Sequence, residues 1–318
     1  MASITTRQLS RRFGNVTAVD NFTVDLPEGG VIGLVGPNGS GKSTLIRMLL
    51  GLIRPTGGTA AVLGADIGHP VRYAGNVGAL IESPAFVPAL SAQRNLTSLA
   101  RLRGLPLTRV EEVLAVVGLS GRDREPVKSF SLGMKQRLGI AAALLPDPEL
   151  LILDEPTNGL DPAGIVEIRA LLQRLGSEGR TVIVSSHLLA EIEAACDYVV
   201  VIRFGELMFA GPMGELLART RAHIDITAEH DRDHERLRAH LAAVGWSVEG
   251  LEGQLRVSAP QSAGADINRA AAGIGITLAS LTFAQDSLED IFLAMTGSTD
   301  GELAVQRAAA AASVEAVA

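Results

Sequence analysis

Gly36-Pro37-Asn38-Gly39-Ser40-Gly41-Lys42-Ser43-Thr44 follows the apolar run Val31-Ile32-Gly33-Leu34-Val35 and leads into Leu45-Ile46-Arg47-Met48-Leu49-Leu50. A buried strand, a glycine-rich turn and an amphipathic helix, in that order, are the context of a phosphate-binding loop. Glycines let the backbone wrap closely, so that successive amide N–H groups point inward at an anion. The first turn of the following helix adds unpaired donors and the positive end of its dipole. Lys42 is placed to reach the β- and γ-phosphates, and the Ser43 hydroxyl to ligate Mg²⁺. A glycine-rich turn without a ligand is the bland alternative, and flanks and spacing both count against it. The stretch implies an α/β fold with a nucleoside-triphosphate site.

Composition narrows the class. At 318 residues the chain has room for two domains, and an apolar fraction of 47% supports a packed core. A net charge of -7, with no basic run interleaved with aromatics, argues against a nucleic-acid surface. The single cysteine, Cys196, permits no internal disulfide and fits a reducing cytoplasm. The first residues lack the apolar core of a signal peptide, and no run of about 18 uncharged apolar residues is present to span a bilayer.

Outward from the loop, the segment 3–26 reads as short strands flanking the turn Arg11-Arg12-Phe13-Gly14-Asn15, where Phe13, taken alone, is better explained by packing than by a ligand. Val77-Gly78-Ala79-Leu80-Ile81 is a buried strand ending at Glu82, at the sheet edge where ligands of open α/β sheets gather. Residues 91–119 carry a helical pattern broken at Gly104-Leu105-Pro106, a helical insertion. Ser131 suits the N-cap of a second helix whose N-terminus could face an anion. Leu150-Leu151-Ile152-Leu153 is an apolar strand ending in Asp154-Glu155. Beside a phosphate loop, Asp154 suits Mg²⁺ or its water, and Glu155 suits a base that orients and polarises the attacking water. The alternative is a pair of solvated acids. Pro162 marks a helix start, and the strand Thr181-Val182-Ile183-Val184-Ser185 delivers His187 to the same edge, within reach of a γ-phosphate.

The order of these motifs over residues 3–218 resembles the ATP-binding subunit of an ABC transporter. By that resemblance Phe13 takes the adenine-stacking position, reversing its isolated reading, and residues 36–44 match Walker A. Asp154 closes Walker B, Glu155 falls at the catalytic glutamate, Asn158 to Asp161 at the D-loop, and His187 at the switch histidine. Phe130-Ser131-Leu132-Gly133-Met134 falls at the signature motif usually written LSGGQ. It departs at three positions and keeps Ser131 and Gly133, the two the family sets against the γ-phosphate of a partner subunit. Glu82 stands where most members carry the Q-loop glutamine. It resembles the branch exporting peptide antibiotics such as bacitracin and lantibiotics, and would add a carboxylate beside Mg²⁺. The closing Asp286–Gly297 segment resembles the drug-exporter branch that includes daunorubicin-resistance ATPases.

The resemblance implies a head-to-tail homodimer binding ATP and Mg²⁺ on the cytoplasmic face of the membrane. Its partner is a separate multi-span permease of the ABC-2 type, coupled to export of a drug, antibiotic or lipid-like compound. The competing class is a soluble ABC ATPase acting on ribosomes or DNA. A phosphate-loop kinase would leave the Ser131 motif and His187 without a purpose. The expected organisation is an ATP-binding domain over 1–218, with antiparallel β and helical subdomains and the helical insertion at about 88–147. A small α+β accessory domain follows over 219–297, then an alanine-rich flexible tail over 298–318. The pattern of 223–283 predicts βαββαβ, the order of a ferredoxin-like unit.

Overall fold

The computed structural model describes residues 2–291 except 83, 84, 252, 287 and 289. The chain divides into two compact units after Gly214.

The first unit opens with a hairpin of β1 (Ala2–Phe13) and β2 (Val16–Pro27), each 12 residues long. The sequence reading expected several short strands here. Bulges join them instead. Asn21, at φ 46°, lies between the two alternating runs of β2, and Gln8, at φ 51°, breaks β1 while its N–H donates to Thr23 Oγ1. Strand β3 (Gly30–Val35) leads into the phosphate loop, and after it come the helix α1 (Lys42–Leu49), β4 (Gly57–Val62), β5 (Ala65–Asp66) and β6 (Val77–Leu80). Next are α2 (Ala92–Leu102), α3 (Thr108–Val116) and α4 (Leu132–Leu144). The unit continues with β7 (Leu150–Leu153), α5 (Pro162–Ser177), β8 (Thr181–Ser186), α6 (Leu189–Ala195), β9 (Tyr198–Arg203) and β10 (Glu206–Pro212).

Two sheets result. One is antiparallel, in the order β2-β1-β4-β5; the other runs β10-β9-β3-β8-β7-β6, parallel from β9 to β6. Every residue of β7 and β8 is buried, as expected of continuous apolar runs covered on both faces. Helix α1 lies between the sheets. Its Leu45, Ile46, Met48 and Leu49 share one core with Ile4 and Phe22 of the antiparallel sheet and Ile32, Ile183 and Val200 of the parallel one. The phosphate loop is thus set on a packed element at the carboxyl end of the central strand.

Helix α4 approaches β6 so closely that a Cβ on Gly78 would stand 2.2 Å from the carbonyl oxygen of Ala143. The Gly78→Ala variant is therefore expected to lose about 2 kcal/mol of stability through forced backbone displacement, read as a lowered thermal midpoint.

Helix α7 (Met213–Leu217) spans the division. The second unit then holds β11 (Ala222–Ala228), α8 (His234–Ala243), β12 (Ser247–Leu251), β13 (Gln254–Ser258), α9 (Gly264–Gly273) and β14 (Leu278–Gln285). Its sheet is antiparallel, in the order β12-β13-β11-β14. Ile224, Ile226, Leu255 and Val257 bury against Leu237, Leu241 and Ile267 of the two helices. The βαββαβ order and split pairing are those of a ferredoxin-like unit. The tail expected over 298–318 lies outside the described residues.

Candidate functional site

The phosphate loop turns on two left-handed glycines, Gly39 at φ 76° and Gly41 at φ 109°. A Cβ on Gly41 would come within 2.3 Å of the Ala18 carbonyl oxygen, so no larger residue fits without moving the backbone. No side chain caps α1 and no acid sits in its first turn, which leaves its amide donors open to an anion. The Ser40 hydroxyl is buried in the loop and has no hydrogen-bond partner among the described residues.

Lys42 is 6% exposed, and its Nζ donates to the Gly36 carbonyl at 2.7 Å and to that of Pro37 at 3.4 Å. The ammonium also stands 3.5 Å from Glu155 Oε1. Glu155 Oε2 lies 2.8 Å from His187 Nδ1; an ionised carboxylate can only accept, so Nδ1 carries the hydrogen in that state. Lys42, Glu155 and His187 thus form a continuous polar chain. They line one open cleft of about 830 Å³ together with Ala18, residues 38–44 and Asn158.

Glu155 adopts φ 51°, a left-handed conformation that a residue with a Cβ holds only under surrounding constraint. Ser185 supplies one constraint. Its Oγ accepts from the Glu155 N–H at 2.8 Å and donates to Asp154 Oδ1 at 2.6 Å, fixing both acids at the end of β7. Asp154 is buried, and with the Ser43 hydroxyl of the cleft it offers hard oxygen donors of the kind Mg²⁺ takes.

Other predicted residues lie elsewhere. Ser131 caps α4, its Oγ accepting from the Met134 N–H at 3.2 Å, yet neither it nor Gly133 lines the cleft of its own chain. The departures at 130 and 134 point inward: Phe130 and Met134 are buried, whereas Leu132 is half exposed. Asp161 caps α5 through the Gly164 N–H at 3.1 Å. Phe13 is half exposed at the end of β1, under the Arg11 guanidinium at 4.4 Å. Glu82, at φ 59°, is exposed and pairs with Arg47 of α1 rather than lining the cleft. Sequence reasoning missed Ser185, Ala18 and Arg47. Only Ser185 carried a local signal, a hydroxyl closing an otherwise apolar strand.

The family model described as ABC transporter matches residues 19–158. The chain is 38% identical over 298 residues to the bacitracin transport ATP-binding protein BcrA of Bacillus licheniformis, covering 92% of this chain and 97% of that protein. It is 42% identical over 202 residues to the lantibiotic transport ATP-binding protein SrtF of Streptococcus pyogenes, covering 64% of this chain and 87% of that protein. Among solved structures, cbiO1 of Clostridium perfringens, part of the ABC transporter complex cbiONQ, superposes with a TM-score of 0.64 at 26% identity, covering 77% of this chain and 97% of that one. Among the described residues no helix is long and apolar enough to cross a membrane. The chain belongs to the ABC transporter family, as an ATP-binding subunit that hydrolyses ATP.

Proposed function

We propose that this chain powers export of a peptide antibiotic, drug or lipid-like compound through a separate multi-span permease of the ABC-2 type. The observation that carries the reading is the Lys42–Glu155–His187 chain over an open, uncapped phosphate loop, in a chain 38% identical to a bacitracin transport protein along nearly its whole length.

In this reading the loop amides of residues 36–44 and Lys42 bind the β- and γ-phosphates of ATP, and Phe13 stacks on adenine. Ser43 and Asp154 would hold Mg²⁺, with Glu82 proposed as a further carboxylate for it, and the cation would supply neutralisation of charge on the phosphates. Glu155 accepts the proton of the attacking water, and His187 steadies the carboxylate and reaches the γ-phosphate.

Ser131 and Gly133 lie outside the cleft of their own chain, which supports a head-to-tail homodimer in which each subunit's α4 start completes the other's ATP site. Asp161 lies in the turn at that junction. ATP binding closes the pair and hydrolysis reopens it, driving the permease from the cytoplasmic face of the membrane. The second unit serves as an accessory domain.

Affinity purification of the tagged chain from detergent-solubilised membranes of its native host tests the transport assignment. The expected result is stoichiometric recovery of one multi-span protein. Recovery with ribosomes and no membrane protein would overturn it.

A further inference from the structure

We infer that Glu191 is a positioning residue for hydrolysis, a carboxylate that ties the loop carrying Glu155 to the loop carrying His187. The inference rests on the reading of those two residues as the hydrolytic pair and extends it to a side chain outside the nucleotide cleft.

Glu191 stands in the first turn of α6. Its Oε2 accepts from Thr157 Oγ1 at 2.6 Å and from Ser186 Oγ at 3.2 Å. Thr157 is two residues beyond Glu155, and Ser186 immediately precedes His187. The Ser186 oxygen also accepts from the Leu188 N–H at 3.0 Å, which leaves its proton free to point at Glu191. One carboxylate oxygen therefore joins the chain leaving β7 to the chain leaving β8. The 2.6 Å contact is in the range of a charge-assisted hydroxyl–carboxylate bond, the stronger kind.

The need for such a tie lies in Glu155 itself. Its left-handed backbone persists only when both sides are held. Upstream, the Ser185 hydroxyl accepts from the Glu155 N–H and donates to the Asp154 carboxylate. Downstream, among the described residues, the side-chain anchor nearest in sequence is Thr157, and its partner is Glu191. The same carboxylate holds Ser186, so the 2.8 Å contact between Glu155 and His187 is braced from both loops at once. Ile165, Leu172, Ile192 and Arg169 line the small pocket beside Glu191, where both hydroxyl–carboxylate bonds are partly buried.

The test uses the full-length protein. Glu191→Leu removes the acceptor while roughly preserving volume, and kcat for ATP is expected to fall about tenfold to a hundredfold, the scale on which small misplacements of catalytic groups act. ATP affinity, read by equilibrium titration, is expected to stay within about twofold, because no phosphate contact is lost. Glu191→Gln retains an oxygen able to accept both hydroxyls and should recover most of the lost kcat, to within about threefold of wild type.

A merely structural role would lower the thermal midpoint and the fraction of binding-competent protein, leave kcat per ATP-binding molecule at the wild-type value, and overturn the inference. Equal loss in the Leu and Gln variants would overturn it as well. Should Glu191→Leu fail to fold, Thr157→Val removes one donor and keeps the branched shape. A drop in its kcat of about threefold or more at unchanged ATP affinity supports the tie, and an unchanged kcat sinks it. Glu155→Gln, measured alongside, separates the two levels. Wild-type turnover there refutes the underlying assignment, whereas an inactive Glu155→Gln beside an unaffected Glu191→Leu refutes only the role of Glu191.

Discussion

Glu155→Gln is expected to bind ATP as tightly as wild type and to hydrolyse it at least about a hundredfold more slowly, the contribution typical of a positioned general base. The amide keeps the shape of the carboxylate and an oxygen that can accept from His187 Nδ1–H, so the loop geometry survives. The Glu155 N–H bond to Ser185 is a backbone contact and is untouched. What disappears is the capacity to take a proton from water. The variant should therefore saturate with ATP in an equilibrium titration while phosphate release nearly stops. In the proposed cycle it also accumulates as a closed dimer, seen as a doubling of mass in light scattering with ATP and Mg²⁺. Turnover near the wild-type rate would remove Glu155 from the chemistry.

Lys42→Ala is expected to weaken ATP binding about 10- to 100-fold, the range for losing a hydrogen-bonded charge partner. Lys42 is 6% exposed, and its ammonium already donates to the Gly36 and Pro37 carbonyls. Its removal thus costs the phosphate a cation and the loop an internal brace. It also leaves Glu155 without the positive neighbour 3.5 Å away, so negative charge in the cleft opposes the triphosphate. Two measurements check this. Direct titration gives the affinity, and the rise in thermal midpoint on adding ATP, a linkage effect, should shrink in step. Unchanged affinity would show that the loop amides alone hold the phosphates. A collapse of the midpoint without nucleotide would show the brace to be the larger effect.

Much of the site was legible because its signals are local. Glycine spacing between a strand and a helix needs no tertiary information, and neither does a pair of acids closing an apolar strand. The position of Asp154 and Glu155 at the end of such a strand followed from the four uncharged residues before the pair. The sheet's buried strands were readable for the same reason, since a strand covered on both faces must be apolar throughout. The hairpin of β1 and β2 was misread as several shorter strands, because left-handed residues at Gln8 and Asn21 interrupt the alternation without ending the strands.

Phe130 and Met134 illustrate the boundary. In the sequence they are departures from a motif; in the fold they are buried packing residues, on positions distinct from those occupied by Ser131 and Gly133. Glu82 illustrates it from the other side. Its place in the chain suggested a ligand for a cation, and the structure pairs it with Arg47, 35 residues earlier.

A glycine-rich loop between a buried strand and a helix, and an acid pair and a histidine at one sheet edge, can be read from the sequence without the fold. Tertiary structure alone decided which side chains brace them. Ser185 reaches Asp154 across 31 residues and Glu191 reaches Thr157 across 34. The Ser185 hydroxyl closing its strand is a local signal, but its partner is not, and the Glu191 contact has no local signature at all. Both exist because the parallel sheet sets β7 beside β8, and strand adjacency of that kind is settled by packing of the whole core rather than by any stretch of the chain.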